Sequence, residues 1–267
     1  MKQIIQQPVK ICAMIFSLLN CSVMSATGEF FHTDARSLAL GNVCALSEEL
    51  VNPANLSFSS GKAIGLSVFN RFEMSELNTA SLYWKCPNPA VDFGTKLASF
   101  GYSDYRISQL QGHLAKKLSS AFSIGLQMNY FFQSSVLEED NRHFLSSGLG
   151  LHYRINDRID LAALGEDLLS TFDEKPWKIH AGISYRLTDE VIILFETVSG
   201  YDLPFAFSAG LEYAILQQVF LRSGYDSRGK TPSFGLAYQW SKWKVDLGFS
   251  IHNILGISSL IGVSYEL

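Results

Sequence analysis

Phe205-Ala206-Phe207-Ser208-Ala209-Gly210-Leu211-Glu212-Tyr213 carries the pattern on which the fold turns: odd positions are apolar or aromatic, even positions small or charged. A strand sends successive side chains to opposite faces, so strict alternation puts one face in an apolar medium and the other in a polar or cramped one. The preceding stretch obeys the same rule, with Ile179, Ala181, Ile183, Tyr185 and Leu187 interleaved with Lys178, His180, Gly182, Ser184 and Arg186. About fourteen segments follow it: 63–72, 76–85, 90–102, 106–118, 120–133, 143–155, 158–166, 177–187, 190–199, 204–215, 217–226, 231–241, 243–253 and 257–267. The 205 residues from 63 to 267 thus allow about 15 for each strand with its connection. That spacing suits tilted transmembrane strands with ~9–11 residues inside the membrane.

The connections alternate as well. Asn156-Asp157, Thr188-Asp189, Leu216 and Ser241-Lys242 are tight, whereas 134–142 and 167–176 are longer and more charged. An even-stranded outer-membrane barrel has short periplasmic turns and longer outer loops, which places both termini in the periplasm. Tyr130, Tyr153, Tyr185, Tyr213, Tyr238, Trp240, Trp243 and Tyr265 fall near strand ends on the apolar face, as an aromatic girdle requires. Ile261, Val263, Tyr265 and Leu267 carry the alternation to the chain end, as in outer-membrane insertion signals. A soluble sandwich also alternates, but it accounts for neither the turn asymmetry nor the girdle.

Composition agrees. The 267 residues hold 21 Lys+Arg and 25 Asp+Glu for a net charge of −4, with only 17% charged and 13% aromatic residues. Soluble domains carry about 25% charged residues. No basic stripe is present, which argues against a nucleic-acid partner. Residues 1–25 read as a secretory signal: Lys2 and Lys10 are followed by an apolar core, Ile11–Leu19, and by Val23 and Ser25 at a cleavage site. The core is shorter than the ~20 residues of a spanning helix. Asn20 stands where a lipid-anchor motif ending at Cys21 needs a small residue. Cys12 and Cys21 leave with the signal, and Cys44 and Cys86 remain. Two cysteines make no disulfide scaffold and lack zinc-site spacing, although one bridge between them is open to an exported protein.

Residues 26–62 do not alternate. Asp34 to Val51 suits short helical turns, and Asn52-Pro53-Ala54 marks a turn or a helix start. A fourteen-stranded barrel is too wide for wall side chains alone to fill. This segment is the spare material, and the expectation is that it tucks into the periplasmic end. The order Ala35-Arg36, Gly41-Asn42 and then Asn52-Pro53-Ala54-x-Leu56 resembles the N-terminus of FadL-like outer-membrane barrels. It is closer still to that of their PorV/PorQ-like relatives in Bacteroidetes. The resemblance implies that Gly41, Asn52, Pro53 and Ala54 belong to a small plug, or hatch. It also implies either passage of hydrophobic molecules or, in PorV-like members, an adaptor role in type IX protein secretion. This chain has smaller loops than either group.

Alternation assigns Arg71, Arg154, Lys178, Arg186, Glu196, Glu212, Arg222, Asp226, Lys244 and Asp246 to the inward face. Lipid-facing charges there would cost ~2–4 kcal/mol at the midplane. Their mixed signs suggest ladders of pairs between neighbouring strands rather than an ion filter. His152, His180 and His252 also face inward on separate strands, with no cysteine or i,i+4 partner to build a metal site. No G-x-S-x-G motif accompanies the serines, and Gly148-Leu149-Gly150 reads as strand glycine giving room inside the wall. The expectation is therefore an all-β transmembrane antiparallel barrel of about fourteen strands with an N-terminal helical hatch. It is expected to lack catalytic residues, metal and cofactor. Outer-membrane lipid surrounds it, and a hydrophobic small molecule or a secretion-system protein is its further partner.

Overall fold

The computed structural model describes residues 34–47, 50–59, 61–136, 141–171, 177–201 and 203–267. The secretory signal expected over residues 1–25 lies outside the described residues. Fourteen strands close one antiparallel barrel: β1 (Ala63–Asn70), β2 (Thr79–Cys86), β3 (Asp92–Gly101), β4 (Tyr105–Lys117), β5 (Phe122–Ser135), β6 (Arg142–Asn156), β7 (Ile159–Ser170), β8 (Lys178–Arg186), β9 (Val191–Gly200), β10 (Leu203–Leu216), β11 (Val219–Asp226), β12 (Thr231–Trp240), β13 (Trp243–His252) and β14 (Gly256–Glu266). Each strand pairs with its chain neighbours, and β1 pairs with β14 from Ala63↔Glu266 to Asn70↔Ser259. Closure removes every sheet edge, as a bilayer demands of a strand-built span.

The alternation predicts each of these strands. β7 departs furthest, running to Ser170 rather than ending at 166, because a bulge interrupts its period. At the bulge Asp167 adopts φ +54°, and Glu166 and Asp167 are buried in succession.

The barrel is apolar outside and polar inside. On β4, Leu110 and Leu114 are about half exposed, while Gln109, Gln111 and His113, at the alternate positions, are buried. The tight turns lie at the end that holds the chain terminus, hereafter the terminus end; the longer connections lie at the opposite, loop end. Exposed Tyr153, Tyr185, Tyr213, Tyr238, Trp240 and Trp243 ring the terminus end, where Trp243 packs 4.8 Å from Tyr265. Tyr130 instead sits toward the loop end, beside His143.

Inside the barrel runs the segment 34–59. It opens with helix α1 (Ala35–Ala39), capped by Asp34, whose carboxylate accepts a 2.6 Å hydrogen bond from Ser37 N. It ends in a 3-10 helix, Pro53–Phe58, with Asn52 as N-cap and Pro53 at the first position. Leu40, Val43, Ala45, Leu46 and Val51 pack on Ala162, Leu164 and Leu194 of the wall. Elsewhere Leu38 meets Phe69 and Leu260, and Leu50 and Leu56 meet Tyr83 and Ala115. The segment therefore has its own apolar seat on many strands. It is not confined to the terminus end as expected: Gly41 lies against Gly224 and Tyr225, close to where β11 ends at the loop end.

Two glycines make that approach geometrically necessary. Gly41 has φ +78°, and a Cβ there would stand 2.6 Å from the Tyr225 carbonyl oxygen. Gly224 faces it without a side chain, so the two backbones touch.

Candidate functional site

Two features occupy the lumen: the anchoring of the inner segment, and a cavity above it. The anchoring is largely ionic. Arg36, on α1, grips Glu212 of β10 with both prongs, Nε to Oε2 at 2.9 Å and Nη2 to Oε1 at 3.0 Å, and donates to the Leu46 carbonyl at 3.2 Å. Glu212 also accepts from Arg222 at 2.6 Å, directly opposite it in the β10–β11 register. Arg222 then reaches over β12 to Asp246 at 2.5 Å, and Lys244 lies 3.4 Å from the same carboxylate. The residues it crosses are small, Gly235 and Ala237, which leaves the guanidinium room. Removing one partner of such a buried pair costs about 3–5 kcal/mol, because the remaining charge stays desolvated.

Hydrogen bonds tie the rest of the segment. Glu196 Oε2 accepts from the backbone N–H groups of Cys44 and Ala45 at 2.8 and 2.7 Å. Asn42 donates to Asp226 at 3.0 Å, and Asp226 is also held by Arg228. Gly41 N donates to Ser233 Oγ at 3.0 Å, and that hydroxyl donates to the Ala39 carbonyl. Asn52 donates to Ala45 O at 2.8 Å and to Ala163 O at 3.3 Å while its Oδ1 accepts from Ala54 N. Ser123 donates to the Ala54 carbonyl, and Ser47 donates to Asp34. Buried polar groups need such partners, and here the wall supplies them.

The cavity, about 670 Å³, lies between this segment and the loop end. Leu38, Asn42 and Cys44 line its floor. Phe69, Phe72, Val198 and Phe205 give it apolar sides, while Arg71, Lys178, Glu166 and Asp226 place charge around them. Its volume falls in the ~300–1,000 Å³ range of small-molecule pockets.

The residues singled out from sequence fall into distinct places. Gly41, Asn52, Pro53 and Ala54 all lie in the inner segment at the wall. Glu212, Arg222, Asp246 and Lys244 form the ion chain, and Glu196 and Asp226 hold the segment's backbone and Asn42. Lys178 is buried beside the cavity, opposite Glu166 in the β7–β8 register. The Arg71 guanidinium lies 4.6 Å over the Phe69 ring. Arg154 pairs with Asp160 at 3.1 Å and covers Phe58 at 4.8 Å, near the terminus end. Arg186 is exposed at that rim, donating to the Asp157 carbonyl, and belongs to neither feature.

The histidines do not converge. His152 bonds to Asn55 and stacks near Phe58, and His252 meets Phe72 across the cavity. His180 differs, and the expectation that no cysteine accompanies it is corrected. Cys44, 136 residues away, comes beside it, and Cys44, His180 and Glu196 bring their ligand atoms within 4.8 Å of one another, all buried. Sequence spacing hid this because the three lie on the inner segment, β8 and β9. Burial pushes the Cys44 thiol well up, and the Glu196 and Glu166 carboxylates add to the effect. Cys44 and Cys86 are both free, so the bridge left open from sequence is absent. Sequence reasoning also passed over Arg36 as an anchor. It further missed an inward amide row, in which Gln109 and Gln127 donate to Asn129 and Asn129 donates to Ser146. Only charged inward positions had been counted, although the same alternation exposes the amides.

No family model and no curated protein matches the chain. Solved structures do. The Pseudomonas putida toluene transporter TodX superposes with a TM-score of 0.66 at 13% identity, covering 88% of this chain and 98% of that one. The CymD monoaromatic hydrocarbon channel gives 0.66 at 13% identity, over 87% and 97%. A Pseudomonas aeruginosa FadL homologue gives 0.60 at 11%, over 88% and 98%. At such identities the likeness is one of fold, and the fold is the closed fourteen-stranded barrel of FadL-type channels.

Proposed function

We propose that this protein is exported by its first 25 residues to a Gram-negative outer membrane, where the barrel passes small hydrophobic molecules. The observation that carries the reading is the cavity: an apolar-sided chamber inside a membrane barrel, floored by a segment that is tied to the wall and not part of it. A membrane-wide apolar exterior and a polar interior support the location. The toluene and monoaromatic channels with the same fold support the substrate class. In this reading Gly41, Asn52, Pro53 and Ala54 are hatch elements, and the cationic and anionic side chains of the lumen hold the hatch. Purified protein in vesicles should speed entry of toluene-sized aromatics over protein-free vesicles. Entry no faster than through lipid alone removes the transport reading.

The ionic anchoring favours a second reading. A plug fixed to the wall by buried ion pairs suits a lumen that stays shut, as in PorV/PorQ-like adaptors, while a secretion-system protein binds outside. Recovery of such a protein with the barrel from gently extracted membranes, together with no hydrocarbon entry, would establish it.

A further inference from the structure

Glu196 holds the inner segment's backbone, but neither passage nor plugging calls for the Cys44 thiol and the His180 imidazole beside it, and the three together have the chemistry of a metal site. We propose that these three residues bind one zinc ion and thereby clamp the inner segment to strands β8 and β9. Thiolate, imidazole and carboxylate are the donors zinc takes in tetrahedral sites. Zinc at about 2.0–2.3 Å from such donors separates them by roughly 3.3–3.8 Å, within a rotamer adjustment of the spacing here.

The donors are already set in place. Glu196 Oε2 holds the Cys44 and Ala45 N–H groups, which fixes the thiol beside the imidazole. Glu196 Oε1 faces His180 Nδ1 at 2.8 Å, so the ion enters where a hydrogen bond now lies. His180 Nε2 lies 3.7 Å from Glu166 Oε2, the place of a carboxylate that orients a metal-bound histidine. Binding displaces the proton shared by His180 and Glu196 and the proton of the Cys44 thiol, so Zn²⁺ arrives as two H⁺ leave. Cys44, His180 and Glu166 line the cavity, which gives the ion an entry path and leaves its fourth position to water. Three protein ligands with one open position is the layout of an accessible zinc rather than a closed structural one.

The test is metal titration of the full barrel in detergent after chelator treatment, with folding checked by heat-modifiable gel mobility. Zinc should bind at one equivalent per chain, and Co²⁺ should give a thiolate-to-cobalt charge-transfer band. Cys44→Ser should abolish the band and His180→Gln should abolish binding. Cys86→Ser should change neither, and Glu166→Gln should weaken affinity about 10–100-fold. Reading both ligand variants in parallel protects the test against one that misfolds. No uptake by the wild type, or a Co²⁺ spectrum unchanged in folded Cys44→Ser, overturns the site. Hydrocarbon entry is not part of the readout, so the transport reading stands or falls separately.

Discussion

Strands β3–β6 and strands β7–β14 enclose the same lumen but fill it differently. On the β3–β6 side, Phe100, Ile107, Phe131, Phe144 and Ala98 form an apolar cap toward the loop end, with Phe131 and Phe144 stacked at 4.7 Å. Beneath it lie the amide row and then the Pro53–Phe58 helix, so that side is packed along its length. On the β7–β14 side the wall meets the inner segment through buried ions and hydrogen bonds as well as the apolar seat at Ala162, Leu164 and Leu194, and leaves the cavity above it. Both sides use apolar packing and hydrogen bonds, but the chain of buried ion pairs lies on the second alone among the described residues. Where a cavity admits water, a polar anchor can be exchanged for water-mediated hydrogen bonds, an exchange that packed aliphatic and aromatic contacts lack. The difference predicts that the proposed passage runs along the ion-anchored side, where the cavity lies.

The strongest attack on that contrast is Glu212→Ala. It takes from Arg36 its bidentate carboxylate and from Arg222 one of its carboxylate partners in a buried site, and about 3–5 kcal/mol of stability should be lost. Urea unfolding measures the loss, and channel conductance should rise with it; unchanged conductance would mean that the ion chain does not hold the segment shut. Phe131→Ala should cost a similar ~3–5 kcal/mol through a cavity in the packed side. Vesicle entry of toluene should nevertheless stay at the wild-type rate, and a faster rate would move the route to β3–β6. Asn52→Ala removes a cap and two carbonyl partners and should cost about 1–2 kcal/mol. Paired with a Pro53 replacement it should raise conductance, and no change would take the hatch role from these residues. Arg154→Ala is the smallest effect: its ion pair with Asp160 sits partly in water, so less than about 1 kcal/mol is expected, with conductance unmoved.

The strands were legible because a wall between lipid and a polar lumen repeats every two residues, and each strand states that period locally. β7 was cut short for the same reason: the bulge at Asp167 interrupts the period, and the reading stopped there. Asn52-Pro53 was legible as a turn or helix start through cap chemistry within a few residues, whereas Gly41 entered through the resemblance alone. Arg36 was visible as a residue but not as an anchor, since its partner Glu212 lies 176 positions on. Cys44 was set aside on spacing, and only barrel closure brings it to His180. What stayed hidden is what the wall does to the segment inside it, because that relation spans the chain.

That span has a consequence for assembly. Arg36, Gly41 and Asn42 are synthesised early, yet their partners Glu212, Ser233 and Asp226 come late in the chain. β14, the last strand in sequence, pairs with β1, which immediately follows the inner segment. The polar groups of that segment therefore find their wall partners only once β10–β13 have been made. Non-local pairing of this kind slows folding, so whatever keeps the segment apart from other chains until β10–β13 arrive should raise the yield of closed barrels.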